Sequence, residues 1–148
     1  MANPAPNIAP TRASALPLAI QRYKSDVTDA LRETLASNSL PVYEMLRYSM
    51  GWTDLNGTYT EATEGKALRS TLCLFACEAT GGSVSKALPA AIALELIHNF
   101  SLIHDDIQDR DETRHHRPTL WTVWGEPKAL VAGNILRVIA DTSLWCLV

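Results

Sequence analysis

No CxxC pair occurs among the three cysteines, Cys73, Cys77 and Cys146, and the count is odd. A disulfide framework is therefore not indicated, and a reducing compartment is expected. Cys73 and Cys77 are four apart in an apolar run, so on a helix they share a face, and two buried thiols are expected. An excess of positive charge is also missing. The formal net charge is −3 over 148 residues, which gives no electrostatic reason to expect nucleic acid or an anionic membrane as a partner. The first residues, Met1 to Arg12, lack a basic segment leading into an apolar core and are rich in Ala, Pro and Asn. That composition does not read as a secretory signal, and residues 1–15 are expected to form a short disordered leader. Long apolar runs are absent too. Glu95, His98 and Asn99 interrupt one stretch, and Asn134, Arg137 and Asp141 another, so neither reaches the roughly 18–20 apolar residues of a membrane span. The expectation is a soluble, cytoplasmic protein.

What is present is helical periodicity. Leu16 to about Ser37 carries apolar residues near helical spacing. Pro41 opens a short second helix, Val42 to Met50. Gly51 to Gly65 has no period and reads as a loop. A third helix, Lys66 to Thr80, is stopped by Gly81-Gly82. Ser83 or Ser85 can cap a fourth, which runs to about Gln108 or Asp109 and is apolar on most sides between Ala87 and Ile103, as a buried central helix would be. Arg110 to Thr119 reads as a charged loop, and Pro127 opens a last helix. Thr119 to Val123 is the only candidate strand, so the fold class is all-α. There is no internal repeat and no interdomain linker, and residues 16–148 form one helical domain. The final stretch, Ser143 to Val148, is apolar and is expected to need a cover, from further chain or from a partner.

Asp105, Asp106 and Asp109 carry the chemistry. On a helix Asp105 and Asp109 lie one turn apart on one face, near a C-terminus whose dipole disfavours negative charge. A cation offsets that cost, and Mg²⁺ suits it: one or two carboxylates, with phosphate oxygens and water completing the shell. A solvated acidic helix end is the bland alternative. Counting back by helical steps brings His98 onto the same side. Lys66 and Arg69 lie three apart at the start of another helix, and Arg110, Arg114, His115, His116 and Arg117 follow the acids. Acids flanked by basic clusters are what a diphosphate with bound metal needs.

Asp105-Asp106-Ile107-Gln108-Asp109, preceded by Ser101-Leu102-Ile103-His104 and followed by Arg114 and Arg117-Pro118-Thr119, resembles the first aspartate-rich motif of the trans-prenyl (polyprenyl) diphosphate synthases. Gly65-Lys66-Ala67-Leu68-Arg69 resembles that family's Gly-Lys-Arg-x-Arg segment, and Leu94 to His98 the helix leading to the aspartates. Leu40 to Tyr48 and Ala132-Gly133-Asn134 are similar as well. The likeness covers residue 16 to the end and corresponds to the N-terminal half of a farnesyl or geranylgeranyl diphosphate synthase.

The resemblance implies a set of roles. Asp105 and Asp109 would hold Mg²⁺ against an allylic diphosphate, with Asp106 in support. Lys66, Arg69 and His98 would grip the diphosphate of isopentenyl diphosphate, and Arg114 would touch the allylic diphosphate. Phe100, with Ser101 beside it, would limit the product to C15–C20; Phe100 as plain core is the alternative. The chain departs from the pattern at His115, where the family has a second Arg, at Ala67 for Arg, at Ser70 for Pro and at Asn134 for Asp. It also has no second aspartate-rich motif after Asp109. The implied protein is a Mg²⁺-dependent prenyltransferase acting on prenyl diphosphates, as a homodimer or paired with a synthase subunit. The alternatives are a catalytically incomplete homologue that acts only as a partner of a full-length synthase, and a generic helical interaction module.

Overall fold

Proline and glycine set several helix limits. The computed structural model describes residues 21–36, 38–60, 67–145 and 147. Within them α1 is Lys24–Ala36, and α2 is Pro41–Ser49 with its proline in the first turn, where a missing N–H is harmless. The leader and residues 16–20 of the first expected helix lie outside the described residues. The expected loop after α2 is irregular over its described part, residues 51–60, apart from one isolated bridge between Thr53 and Tyr59.

Next comes α3, Leu68–Ala79, which stops where Gly81-Gly82 predicts. Gly81 takes φ +83, and the N–H groups of Gly81 and Gly82 donate to the carbonyls of Glu78 (2.9 Å) and Cys77 (2.8 Å). A left-handed residue that satisfies the last carbonyls favours glycine. The long helix α4 is Val84–Gln108. Ser83 precedes it in an extended conformation, but its hydroxyl pairs with Ser85 Oγ at 2.9 Å and caps no backbone N–H. Pro89 withholds one N–H from the second turn.

The segment expected to be a plain charged loop contains an antiparallel hairpin, β1 (Thr113–Arg114) against β2 (Arg117–Pro118). Thr119 to Val123, the candidate strand, is instead part of a short helix, α5 (Leu120–Trp124). The cause is tertiary. Thr119 Oγ1 and Trp121 Nε1 donate to the Asp111 carbonyl at 2.9 and 2.8 Å, folding the segment back onto the end of α4. The last helix, α6, is Glu126–Trp145 with Pro127 in its first turn.

Helix α4 is the centre, packed against α6 and α3 and, less extensively, α1. By length and composition it could cross a bilayer, contrary to the expectation from its interruptions. It instead carries the core, with Glu95 and Asp106 buried along it. Leu46, Leu74, Leu96 and Leu136 have no exposed surface, and truncating any one of them to Ala costs about 2–5 kcal/mol. The cysteine expectation fails. Cys73 and Cys77 are free and only half-buried, because α3 packs through Ser70, Thr71 and Leu74 and leaves Leu72 and Phe75 exposed.

The hairpin carries local strain. His115 and His116 form its two-residue turn with φ of 50° and 63°, a region that turn geometry requires and that residues with a Cβ disfavour. His116→Gly is expected to raise stability by about 1 kcal/mol, read as a higher urea midpoint with an unchanged slope.

Candidate functional site

A cleft of about 870 Å³ opens between α4, the start of α3 and the hairpin. Helical spacing aligns its α4 wall: Glu95, the adjacent pair His98 and Asn99, Leu102 and Asp106 follow one another at steps of three or four and all line it. Arg69, in the first turn of α3, faces them, and its residue is exposed. The hairpin contributes Arg114, His115 and Arg117. The Arg117 guanidinium lies 4.2 Å from the Tyr48 ring centroid and donates to the Thr53 carbonyl. Tyr48 in turn donates its hydroxyl to the Pro118 carbonyl at 2.9 Å. Helix α2 thus clamps the hairpin over the cleft, and cation–π stacking orients Arg117.

The three aspartates separate. Asp106 is buried and accepts Arg114 Nε at 2.8 Å. That bond, helped by the further pull of Asp106, Asp111 and Asp105 and opposed by burial, holds the Arg114 guanidinium above its ordinary pKa. Asp105 and Asp109 are exposed and lie outside the cleft lining. Asp109 closes α4, its N–H donating to the Asp105 carbonyl at 2.8 Å. Phe100 and Ser101 also lie off the cleft lining. The Phe100 ring packs tilted against His104, centroids 4.5 Å apart, and the Ser101 hydroxyl donates to the His98 carbonyl at 2.8 Å. Lys66 lies outside the described residues. Arg69, His98, Arg114 and His115 are therefore brought together, while the two exposed carboxylates occupy a neighbouring edge of α4.

His98 is electrostatically poised. Burial, reinforced by Arg69 and Arg114, pushes its pKa below the ordinary imidazole value, against the opposite pull of Glu95 and Asp105. The folded protein therefore binds fewer protons at His98 than the unfolded chain. The stability tied to His98 is fully present above an unfolded pKa of about 6.5 and is lost as pH falls through the folded pKa. Urea unfolding between pH 7.5 and 5 is expected to show a steeper loss for the unsubstituted protein than for His98→Gln. Parallel curves would refute the assignment.

The donor set can be tested against Mg²⁺. Among the described residues no group of three His, Cys, Asp or Glu side chains forms a ready cage. Mg²⁺ does not need one, because it commonly binds through one or two carboxylates with phosphate oxygens and water. Asp105 and Asp109, one turn apart and open to solvent, fit that mode. Asp106 fits it less well, being committed to Arg114.

Glu95 is not among the expected site residues. Glu95 is buried, and its Oε1 accepts both the N–H and the hydroxyl of Ser70 on α3, at 3.1 and 2.8 Å. The available signal was a lone carboxylate inside an apolar run, three residues before His98 and so on the same helix face.

The family model described as polyprenyl synthetase matches residues 52–145. The chain is 41% identical over 118 residues to a (2E,6E)-farnesyl diphosphate synthase of Mycobacterium tuberculosis, covering 80% of this chain and 33% of that protein. It is 37% identical over 121 residues to a geranylgeranyl diphosphate synthase of the same organism, covering 82% and 35%. A crystal structure of a polyprenyl synthetase from Streptomyces coelicolor A3(2) superposes with a TM-score of 0.80 at 36% identity, covering 85% of this chain and 37% of that one. The chain thus spans about a third of the length of these relatives. The matched segment runs from Trp52 to the end of α6 and takes in all of α3, α4 and the hairpin, so the chain belongs to the polyprenyl synthetase family.

Proposed function

We propose that this protein serves a prenyltransferase reaction in which isopentenyl diphosphate condenses with an allylic diphosphate to give a short-chain (about C15–C20) prenyl diphosphate. The observation that carries the reading is the convergence of Arg69, His98 and Arg114 on one cleft beside the exposed pair Asp105 and Asp109. The farnesyl and geranylgeranyl names of the relatives support the product range and favour an enzyme over a catalytically incomplete partner.

In this reading the allylic C–O bond ionises, the isopentenyl double bond attacks the cation, and a proton leaves. The protein's part is to hold two polyanions in register and stabilise the charge that grows on the leaving diphosphate. Arg69 and His98, with Lys66, hold the isopentenyl diphosphate. His98 is neutral when free and becomes a better donor once an anion favours its charged form. Arg114, already aimed by Asp106, faces the allylic diphosphate, and His115 adds a contact where the family pattern has an arginine. Mg²⁺ would be held by Asp105 and Asp109, with Asp106 behind them, and when bound it supplies charge neutralisation at the diphosphate. Phe100 and Ser101 limit chain length. The acting unit is a homodimer or a pairing with a synthase subunit. The free thiols Cys73 and Cys77 accord with a cytoplasmic setting.

The test is incubation of the purified chain with Mg²⁺, isopentenyl diphosphate and dimethylallyl diphosphate, with products separated by chromatography. A Mg²⁺-dependent elongated product is expected. A folded chain that binds inorganic diphosphate yet forms no product would overturn the catalytic reading and leave diphosphate binding.

A further inference from the structure

We propose that Glu95 is a positioning residue, which anchors the first turn of α3 from across the cleft and so sets where Arg69 meets a phosphate. This rests on the diphosphate-binding reading above. Among the described residues the first turn of α3 has no side-chain cap of its own. Ala67, which precedes it, is left-handed at φ 45 and makes no side-chain cap hydrogen bond, so the leading N–H groups of the helix need another partner. Glu95 supplies one from 25 residues away. Its Oε1 takes the Ser70 N–H at 3.1 Å and the Ser70 hydroxyl at 2.8 Å, and Ser70 is fully buried. Ser70 Oγ also donates to the Ala67 carbonyl at 2.9 Å, closing the turn on itself. A carboxylate at a helix N-terminus is favoured by the dipole, and this reconciles Glu95 with its burial. On the other side the Asn99 side chain donates to the Glu95 carbonyl at 2.8 Å, so the anchor belongs to the same α4 face as His98.

Arg69 is the residue next to Ser70. Its backbone is pinned at the bond that Glu95 receives, while its side chain is exposed along the cleft. Among the described residues it has no ion-pair partner, so its direction depends on the backbone beneath it. Ser70 stands where the resembling segment has a proline, which would offer neither donor. The anchor is therefore particular to a chain with serine here.

The experiment titrates the 148-residue chain with inorganic diphosphate by calorimetry and follows Ser70 amide exchange by NMR. Glu95→Gln keeps an acceptor at the same reach and is expected to bind within about twofold of the unsubstituted protein. Glu95→Met keeps the shape, removes the acceptor, and is expected to bind about tenfold more weakly. Ser70 exchange should accelerate in Glu95→Met alone, while the amide of Leu136, far off in α6, stays unchanged. Should Glu95→Met fail to fold, Glu95→Asp, one methylene too short to reach Ser70, is expected to show the same weakening. Arg69→Ala separates the two levels. If it weakens binding while the acceptor-deficient variants bind normally, the anchor is refuted and the diphosphate reading stands. If Arg69→Ala binds like the unsubstituted protein, the reading falls and the anchor with it.

Discussion

Changing Asp105 and Asp109 together to Ala is expected to lower Mg²⁺-dependent binding of an allylic diphosphate by about 100-fold or more. Losing a group that merely supports a metal ligand already costs about 10–100-fold, and here both proposed ligands go. The fold should survive, because both residues are exposed. Removing two negative charges from the last turn of α4 also relieves an unfavourable interaction with the helix dipole, so thermal stability should hold or rise. Binding measured by calorimetry at fixed Mg²⁺, with and without the double change, decides the matter. Equal affinities would remove the two aspartates from the site. Asp106→Asn makes an informative contrast. It leaves the exposed pair intact but weakens the buried partner of Arg114, so it should act chiefly through the hairpin and lower stability, an effect of about 1–3 kcal/mol for a hydrogen bond to a charged group.

Replacing Gly133 by Ala should destabilise the fold by about 2 kcal/mol, in the range for overpacking a filled core, and Gly133→Val should cost more. A Cβ at Gly133 would sit 2.6 Å from both Cδ2 and Nε2 of His104 and 3.6 Å from Ile103 Cγ2. The imidazole has little room to yield, since the Phe100 ring packs against it with centroids 4.5 Å apart and its Nε2 is buried, without a hydrogen-bond partner among the described residues. The seam between α4 and α6 must open or the ring must leave. His104→Ala in the same chain should recover part of the loss, which a double-mutant cycle in urea measures as a coupling energy. A Gly133→Ala protein as stable as the original would show that the ring swings away freely.

These expectations separate what was legible along the chain from what was not. Helix limits set by local chemistry were readable: Pro41 and Pro127 in first turns and Gly81-Gly82 after α3 all act within a few residues. Family membership was readable too, because motif order and spacing survive in one dimension. Three features were not. Thr119 to Val123 has the composition of a strand, yet its side chains bond to the Asp111 carbonyl and fold it into α5. Cys73 and Cys77 sit in an apolar run that reads as buried, yet neighbours cover only one side of α3 and both thiols remain half-exposed. The resemblance puts Asp106 in support of the other two aspartates, yet burial and Arg114 claim it.

The sequence by itself determined the all-α class, most helix ends and the family, since periodicity, turn chemistry and motif spacing are local properties. Tertiary structure alone decided how the charges are divided. It placed Arg69, His98 and Arg114 around one cleft, left Asp105 and Asp109 on an adjoining exposed edge, and tied Glu95 to Ser70. The physical reason is that a carboxylate's role depends on its burial and on its nearest donor, and for Glu95 that donor lies 25 residues away along the chain.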